Sequence, residues 1–395
     1  MNNSKINLIP YINIKWNVQV KSDFKLYLMR ELKKGFTVDE LSQKLKKPRH
    51  IVKYFLCNSH GSSLATTLGI CRILHIKKET LFKNICLVYI NHKKNGFTAR
   101  QLILTKDFIE WYSCWLGEGD HSSTREAISL TNYSLDILRY HIEMLQKLGF
   151  SKDQMKVEVV SPTDDNQSII KKRWSIYLSI SQNQISTITY MKNASQEGAR
   201  VQVWCAALYR ILHQIEDIVK QRVKKSNDSM KIAYLRGIYA AEGSVRSKGQ
   251  QIRINMNNQR EIAYIKSILT DLSINSSDIK YNRFSGTYDL GITGYYNIKR
   301  FYEIKGFGLN SKRSELLKTK FQYYNKKLPY RARTEEIMHI LMRQKTISNN
   351  ELAEICHRHP RHIAYITRYL LNKGILYVDR SKKVYKYSLA DQYLA

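Results

Sequence analysis

The fold turns on two short stretches, Trp111-Tyr-Ser-Cys-Trp-Leu-Gly-Glu-Gly119 and Leu235-Arg-Gly-Ile-Tyr-Ala-Ala-Glu-Gly243. Both are apolar, both carry a small residue at the third and seventh positions, and both end in Glu-Gly. Glu118 and Glu242 stand 124 positions apart (242 − 118), and the offset continues downstream without a gap. Ile128 matches Ile252, Leu130 matches Ile254, Tyr140 matches Tyr264, Leu145 matches Leu269 and Leu148 matches Leu272. Chance does not hold register in this way, so the middle of the chain is a tandem duplication.

Working outward, each copy reads alike. An apolar helix ends at Glu-Gly, and a strand follows with apolar even positions, Ile128 and Leu130 in one copy and Ile252, Ile254 and Met256 in the other. The odd positions are polar: Arg125, Ser129 and Thr131, then Gln251, Arg253 and Asn255. Period-two alternation predicts one face packed on a core and the other open to a partner. A second helix ends in Leu-Gly or Leu-Ser, and further strands are expected at Trp174–Ile180 and Tyr288–Ile292. The predicted class is α+β, with an α-β-β-α-β-β-α unit occurring twice.

Two in-register copies of an apolar helix with an acidic-Gly ending resemble the two halves of a single-chain LAGLIDADG homing endonuclease, over roughly residues 103 to 328. The resemblance implies saddle-shaped antiparallel sheets and motif helices packed at a pseudo-twofold axis. Ser113 and Gly237 at position three would permit the close approach, and Glu118 and Glu242 at position eight would project toward the scissile phosphates. It also implies a water-orienting polar residue past the first strand, for which Asn132 and Asn257 are the candidates, one residue out of register with each other. The lysine common late in such repeats has no counterpart in Ser181-Gln182-Asn183 or Thr293-Gly294-Tyr295, which leaves Lys248 and Lys312 as substitutes. Asp120 and His121 follow the first motif while Ser244 and Val245 follow the second, without symmetry.

The chemistry accounts for paired carboxylates. Phosphodiester hydrolysis needs an activated water and neutralisation of charge on the leaving oxygen, and divalent cations on hard oxygen ligands supply both. Glu118 and Glu242 are therefore the expected ligands of Mg²⁺ or another divalent ion. Lys and Arg total 65 against 33 Asp and Glu, a net +32, which points to a polyanionic partner, nucleic acid first, and the resemblance implies that it is double-stranded DNA. Arg125, Arg253 and Arg283 are the candidates for reading guanine edges, and Lys171, Lys172 and Arg173 for phosphate contacts.

Both ends of the chain read as basic helical modules, giving expected domains of 1–102, 103–228, 229–328 and 329–395. In the first, a helix ending at Gly35 precedes one opened by Thr37 and Glu40 as a capping box, then a third through Ile51, Val52, Phe55 and Leu56: a helix-turn-helix outline. In the last, helices near Ile337 to Leu341, from Ser348, and over His359 to Asn372 precede a hairpin of Ile375–Val378 and Val384–Leu389, the order of a winged helix. Arg358, Arg361, His362 and Arg368 on its third helix would face the major groove. Histidines 357, 359 and 362 lack further ligand partners and read as part of a basic face. Six scattered cysteines (57, 71, 86, 114, 205 and 356) form no CxxC pair and read as small buried residues in a reducing cytoplasm. No signal peptide, lipidation signal or membrane-spanning run is evident. Two fused halves favour a monomer, and the resemblance implies intron or intein mobility. The rival readings are a non-cutting DNA-binding regulator and, after it, an RNA-splicing maturase.

Overall fold

The computed structural model describes residues 5–57, 61–90, 96–97, 101–119, 126–163, 165–246, 251–326, 330–356, 360–381 and 384–393. The chain separates into two units, 1–241 and 242–395. Among the described residues no helix is long and apolar enough to cross a membrane.

The first unit opens with strands β1 (Lys5–Asn7) and β2 (Asn17–Val20) and helices α1 (Ser22–Gly35), α2 (Val38–Leu45) and α3 (Arg49–Cys57). Strand β3 (Ser62–Ser63), helices α4 (Leu64–Ile73) and α5 (Lys78–Asn84), and strands β4 (Ile85–Tyr89) and β5 (Gln101–Ile103) follow. Thr37 caps α2: its Oγ1 accepts from Glu40 N (3.3 Å), and the Glu40 carboxylate accepts from Thr37 N (2.7 Å). Leu41, Val52, Phe55 and Leu56 are buried at helical spacing. The region is nonetheless not wholly helical as expected. Strand β2 lies between β3 and β4, and β1 pairs with β5. Asn17 meets Tyr89 across this sheet, a pairing of residues so far apart in sequence that neither strand carries a local sign of it.

The first repeat comprises α6 (Lys106–Glu118), β6 (Ala127–Asn132), α7 (Leu135–Lys147), β7 (Met155–Ser161), α8 (Gln167–Leu178), β8 (Ile185–Tyr190), β9 (Gly198–Trp204), α9 (Ala206–Gln214) and α10 (Glu216–Lys224). Its strands run in the order β6-β9-β7-β8, with β7 and β8 parallel and the other neighbours antiparallel. The strand expected at Trp174–Ile180 is instead the second half of α8. Ile170, Trp174 and Leu178, four apart, form its buried stripe. Next comes α11 (Asp228–Glu242), the second motif helix.

The second unit carries β10 (Gly243–Val245), β11 (Gln251–Met256), α12 (Gln259–Asp271), β12 (Lys280–Asn282), β13 (Thr287–Thr293), α13 (Tyr295–Glu303) and α14 (Ser311–Lys326). Its sheet, ordered β10-β11-β13-β12, is antiparallel throughout. The duplication is carried in the backbone. Helices α7 and α12 begin and end 124 residues apart (259 − 135 and 271 − 147). Gly119 pairs with Leu130 as Gly243 pairs with Ile254. Ile128 pairs with Val203 as Ile252 pairs with Ile292, so the offset between β9 and β13 has fallen to 89 (292 − 203). The first repeat thus holds 35 extra residues (124 − 89), nearly all of them between β7 and β9, where α8 and β8 lie.

The chain ends in α15 (Tyr330–Gln344), α16 (Asn349–Ile355), α17 (Pro360–Asn372), β14 (Leu376–Asp379) and β15 (Lys386–Leu389). Ser348 and Glu351 form a capping box on α16, and Gly374, at φ +67°, follows α17 in the left-handed conformation that suits glycine. Ile337, Leu341, Leu352, Ile363, Ile366 and Leu370 share a core with Leu376 and Leu389 of the hairpin. Ile347 adds a bridge to Tyr387. This module rests on the second repeat through Tyr296 stacked on His339, with ring centroids 3.7 Å apart. None of the six cysteines is in a disulfide; Cys57 is exposed and Cys86 half-buried, so only four are the buried residues expected.

Candidate functional site

The two motif helices are apolar around most of their circumference, so each must bury nearly all of its surface. They meet at position three of the motif. A Cβ on Gly237 would stand 1.9 Å from the Glu110 carbonyl oxygen and 2.1 Å from Ser113 Oγ, so α11 can approach α6 this closely only because that residue is glycine. Ser113 Oγ turns back onto Glu110 O (3.1 Å), which satisfies the hydroxyl inside the contact. Each motif glutamate ends its own helix five positions beyond the crossing residue (118 − 113 and 242 − 237). Helix α6 is further fixed by Trp111 Nε1, which donates to His141 Nδ1 (2.9 Å), and by Tyr112 Oη, which donates to Leu212 O (2.6 Å). Complete burial holds His141 down to about 3, so it stays neutral and can accept that bond.

Beside the crossing, Glu110 Oε1 and Arg236 Nε lie 3.1 Å apart, yet neither atom has a hydrogen bond among the described residues. The contact is an ion pair by proximity without donor–acceptor alignment. Burial therefore dominates and pushes the Glu110 carboxyl up to about 7, against the pull of Arg236 and with a smaller push from Asp107.

Glu118 is half-buried at the end of α6, and Asn132 Nδ2 donates to its Oε1 (3.0 Å). Asn132 Oδ1 accepts from Ser134 N (2.8 Å), which sets the amide so that its nitrogen faces the carboxylate. Of the expected catalytic set, the fold brings these two together. Glu242 is likewise half-buried; burial pushes its carboxyl up and the Arg313 guanidinium partly offsets the rise. Arg313 stands in the first turn of α14, where its backbone N donates to Asn310 Oδ1 (3.1 Å). Sequence reasoning missed Arg313. The neighbouring Lys312, named as a substitute cation, is exposed, and Lys248 lies outside the described residues. Asn257 sits exposed after β11, and no hydrogen bond joins it to Glu242 among the described residues; the register partner of Asn132 is Met256, which pairs with Tyr288 as Asn132 pairs with Ala199.

Among the described residues no three His, Cys, Asp or Glu side chains gather as a ready-made metal cage. Glu118 and Glu242 each offer a single carboxylate, which fits an ion of the Mg²⁺ type that takes one or two carboxylates and completes its shell with water and phosphate oxygens.

The polar faces of the two sheets differ from the expectation of uniform openness. In the second repeat Arg253 Nη2 pairs with Asp289 Oδ2 (3.0 Å), and the Asn255 amide, turned with its nitrogen toward Asp289, can donate to Oδ1 (2.8 Å). Gln251 lies against Gly291, where a Cβ would come within 2.2 Å of its Nε2. In the first repeat Thr131 is exposed, but Ser129 is only 2% exposed and is closed to a partner in this state. Beside it Gln202 Nε2 donates to Glu158 Oε1 (2.9 Å), and Arg200 pairs with Glu158 (3.5 Å). Arg283 is exposed in the β12–β13 turn. Lys171 and Lys172 lie on α8; Arg173 beside them is held by Glu197, which also accepts from Trp174 Nε1 (3.0 Å), so it anchors α8 to the loop before β9. Arg361 and Arg368 are exposed on α17, with Tyr365 and Tyr369 on the same side. Arg125, Asp120, His121, His357, Arg358 and His359 lie outside the described residues.

Residues 229–306 match the family model described as a LAGLIDADG-like domain. No curated protein matches the chain in sequence. Among solved structures, the homing endonuclease I-DmoI in complex with DNA and Mn is 18% identical, with 51% of this chain and 97% of that one covered and a TM-score of 0.32. Full-length DUF199/WhiA from Thermatoga maritima is 12% identical, with 68% and 92% covered and a TM-score of 0.34. The N-terminal LAGLIDADG domain of DUF199/WhiA is 14% identical, with 52% and 85% covered and a TM-score of 0.31. Residues 229–306 thus carry a LAGLIDADG-like domain, and the helix motif that opens it, ending in Glu-Gly at 235–243, occurs a second time at 111–119.

Proposed function

We propose that the protein is a site-specific double-stranded DNA endonuclease in which Glu118 and Glu242 each ligate a divalent cation. The observation that carries this reading is the equivalent placement of the two glutamates. Each ends a duplicated helix, five positions past a crossing that admits only small residues. A bound cation of the Mg²⁺ type would lower the pKa of an attacking water and offset charge on the leaving oxygen. The chain's own residues do the rest. Asn132 orients the Glu118 carboxylate, and Arg313 favours the ionised form of Glu242 against its burial. Thr131, Gln251, Arg253, Asn255 and Arg283 are the proposed base-reading set, with Arg253 exchanging Asp289 for a base edge on binding. Lys171, Lys172, Arg361 and Arg368 are proposed as phosphate contacts. We read the C-terminal three helices and hairpin as a winged helix that binds the same polyanion, and the whole as a monomer.

The test is direct. The protein is incubated with a pooled library of long duplexes and Mg²⁺, and new ends are sequenced. Double-strand breaks at one recurring sequence are expected, with rates at least about a hundredfold lower for Glu118→Gln and for Glu242→Gln and binding retained. A second reading, a DNA-binding regulator that does not cut, is favoured by the absence of lysine from 181–183 and 293–295. Recurrent binding with no breaks under Mg²⁺, Mn²⁺ or Ca²⁺ would select it.

A further inference from the structure

Among the described residues the most exposed large apolar side chain is Phe284, at 104%, in the turn between β12 and β13. A single exposed apolar residue is ordinary, so the manner in which the ring is held decides what it means. Phe284 N donates to Asn282 Oδ1 (3.1 Å), Gly286 N donates to Asn282 O (2.9 Å), and the hydroxyls of Ser285 and Thr287 share a hydrogen bond (2.7 Å). Gly286 takes φ +66°, and the turn closes on itself. The ring is therefore presented by a backbone already fixed, and little freedom remains to be lost on binding. Its surroundings are basic. Arg283 and Lys280 are exposed on the same hairpin, and the acids near it are engaged, Asp278 with Lys266 (2.9 Å) and Asp289 with Arg253 (3.0 Å). Lys280 and Asn255 both pair with Asp289, which puts Lys280 on the same sheet face as Asn255 and Arg253. In the first repeat the corresponding connection is the insertion that holds α8 and β8, and among the described residues no matching tight turn occurs there.

We propose that Phe284 inserts into the base stack of a bound duplex while Arg283 and Lys280 hold the flanking phosphates. This deepens the DNA-binding reading above and rests on it. An exposed aromatic ring on a hairpin that also presents two exposed cations matches a base face and its phosphates better than it matches a protein surface. Unstacking one step costs a few kcal/mol, and stacking on the ring offsets it. The cost is least at pyrimidine–purine steps, so the recognised sequence should carry a TA or CA/TG step on the second-repeat side alone.

The experiment uses duplexes that the full-length protein itself retains from a random pool, re-synthesised with 2-aminopurine at each adenine in turn. Wild-type protein should brighten the probe at one step. Phe284→Ala should leave every position dark and bind about tenfold or more weakly, with an unchanged circular dichroism spectrum because the ring is fully solvent-exposed. Phe284→Tyr should keep both properties. Retention of duplex with no step brightened, or equal affinity for Phe284→Ala, overturns insertion and leaves the DNA-binding reading standing. Retention of no duplex by wild-type protein overturns both. Self-association without DNA that Phe284→Ala abolishes would assign the ring to a second copy and overturn insertion.

Discussion

Glu118 and Glu242 are the same side chain in different surroundings. Glu118 receives a hydrogen bond from Asn132, whereas the equivalent strand position in the second copy is Met256. Glu242 instead has burial pushing its carboxyl up and Arg313 pulling it down. If Glu242 ligates a cation as proposed, it must be ionised to do so, and cleavage should then fail on the acid side at a higher pH than an ordinary carboxylate would impose. Arg313→Met removes the charge that favours the ionised form, so Glu242 should rise further and the acid limb of the cleavage profile should move to higher pH. An acid limb that stays in place would remove Arg313 from the site. The glutamates were legible because duplication marks equivalent positions. Arg313 was not, because its nearness to Glu242 depends on α14 packing beside β10, and nothing in the local pattern around 313 encodes that.

At the scale of elements, the packing of α6 on α11 sets the most exacting demands on sequence. Gly237→Ala would drive a methyl group into the Glu110 carbonyl, and backbone cannot yield as a flexible side chain can. A loss of about 3 kcal/mol is expected, read from urea unfolding; a loss below about 1 kcal/mol would mean the helices can part without cost. Glu110 gives the same contact a pH dependence. Its folded carboxyl is raised to about 7 from an ordinary 4.5, so the folded state holds the proton more tightly. The stabilisation is fully present below the ordinary value and is lost as pH rises through 7, on the order of 3 kcal/mol in all. Thermal scans should show wild-type stability falling from pH 5 to pH 8 more steeply than that of Glu110→Gln; parallel curves would rule out titration of Glu110 in this range. Helix α8 shows where pattern reading failed. Trp174, Ile176 and Leu178 alternate as a strand would, but Ile170, Trp174 and Leu178 also lie four apart, and the core buries that second set. Short apolar runs satisfy both periods, and only packing chooses between them.

Over the whole molecule the excess of 65 basic over 33 acidic residues should govern association with any polyanion. Affinity for duplex DNA is expected to fall about a thousandfold or more between 50 and 200 mM salt; a flat salt dependence would remove phosphate contacts as the main source of binding. The sequence alone determined the α+β class, the duplication with its 124-residue offset, the motif glutamates and the capping boxes at Thr37 and Ser348. Each is a local or periodic property: apolar spacing, a cap three residues from its partner, or one stretch repeated. Tertiary structure alone decided the β3-β2-β4 sheet of the first region and the placing of nearly all of the 35 extra residues where α8 and a parallel β8 lie. It also decided the closure of Ser129 and the charges that act on Glu242. These depend on which distant segments meet. Such meetings are fixed by burying apolar faces against one another, and a residue's immediate neighbours in the chain do not encode them.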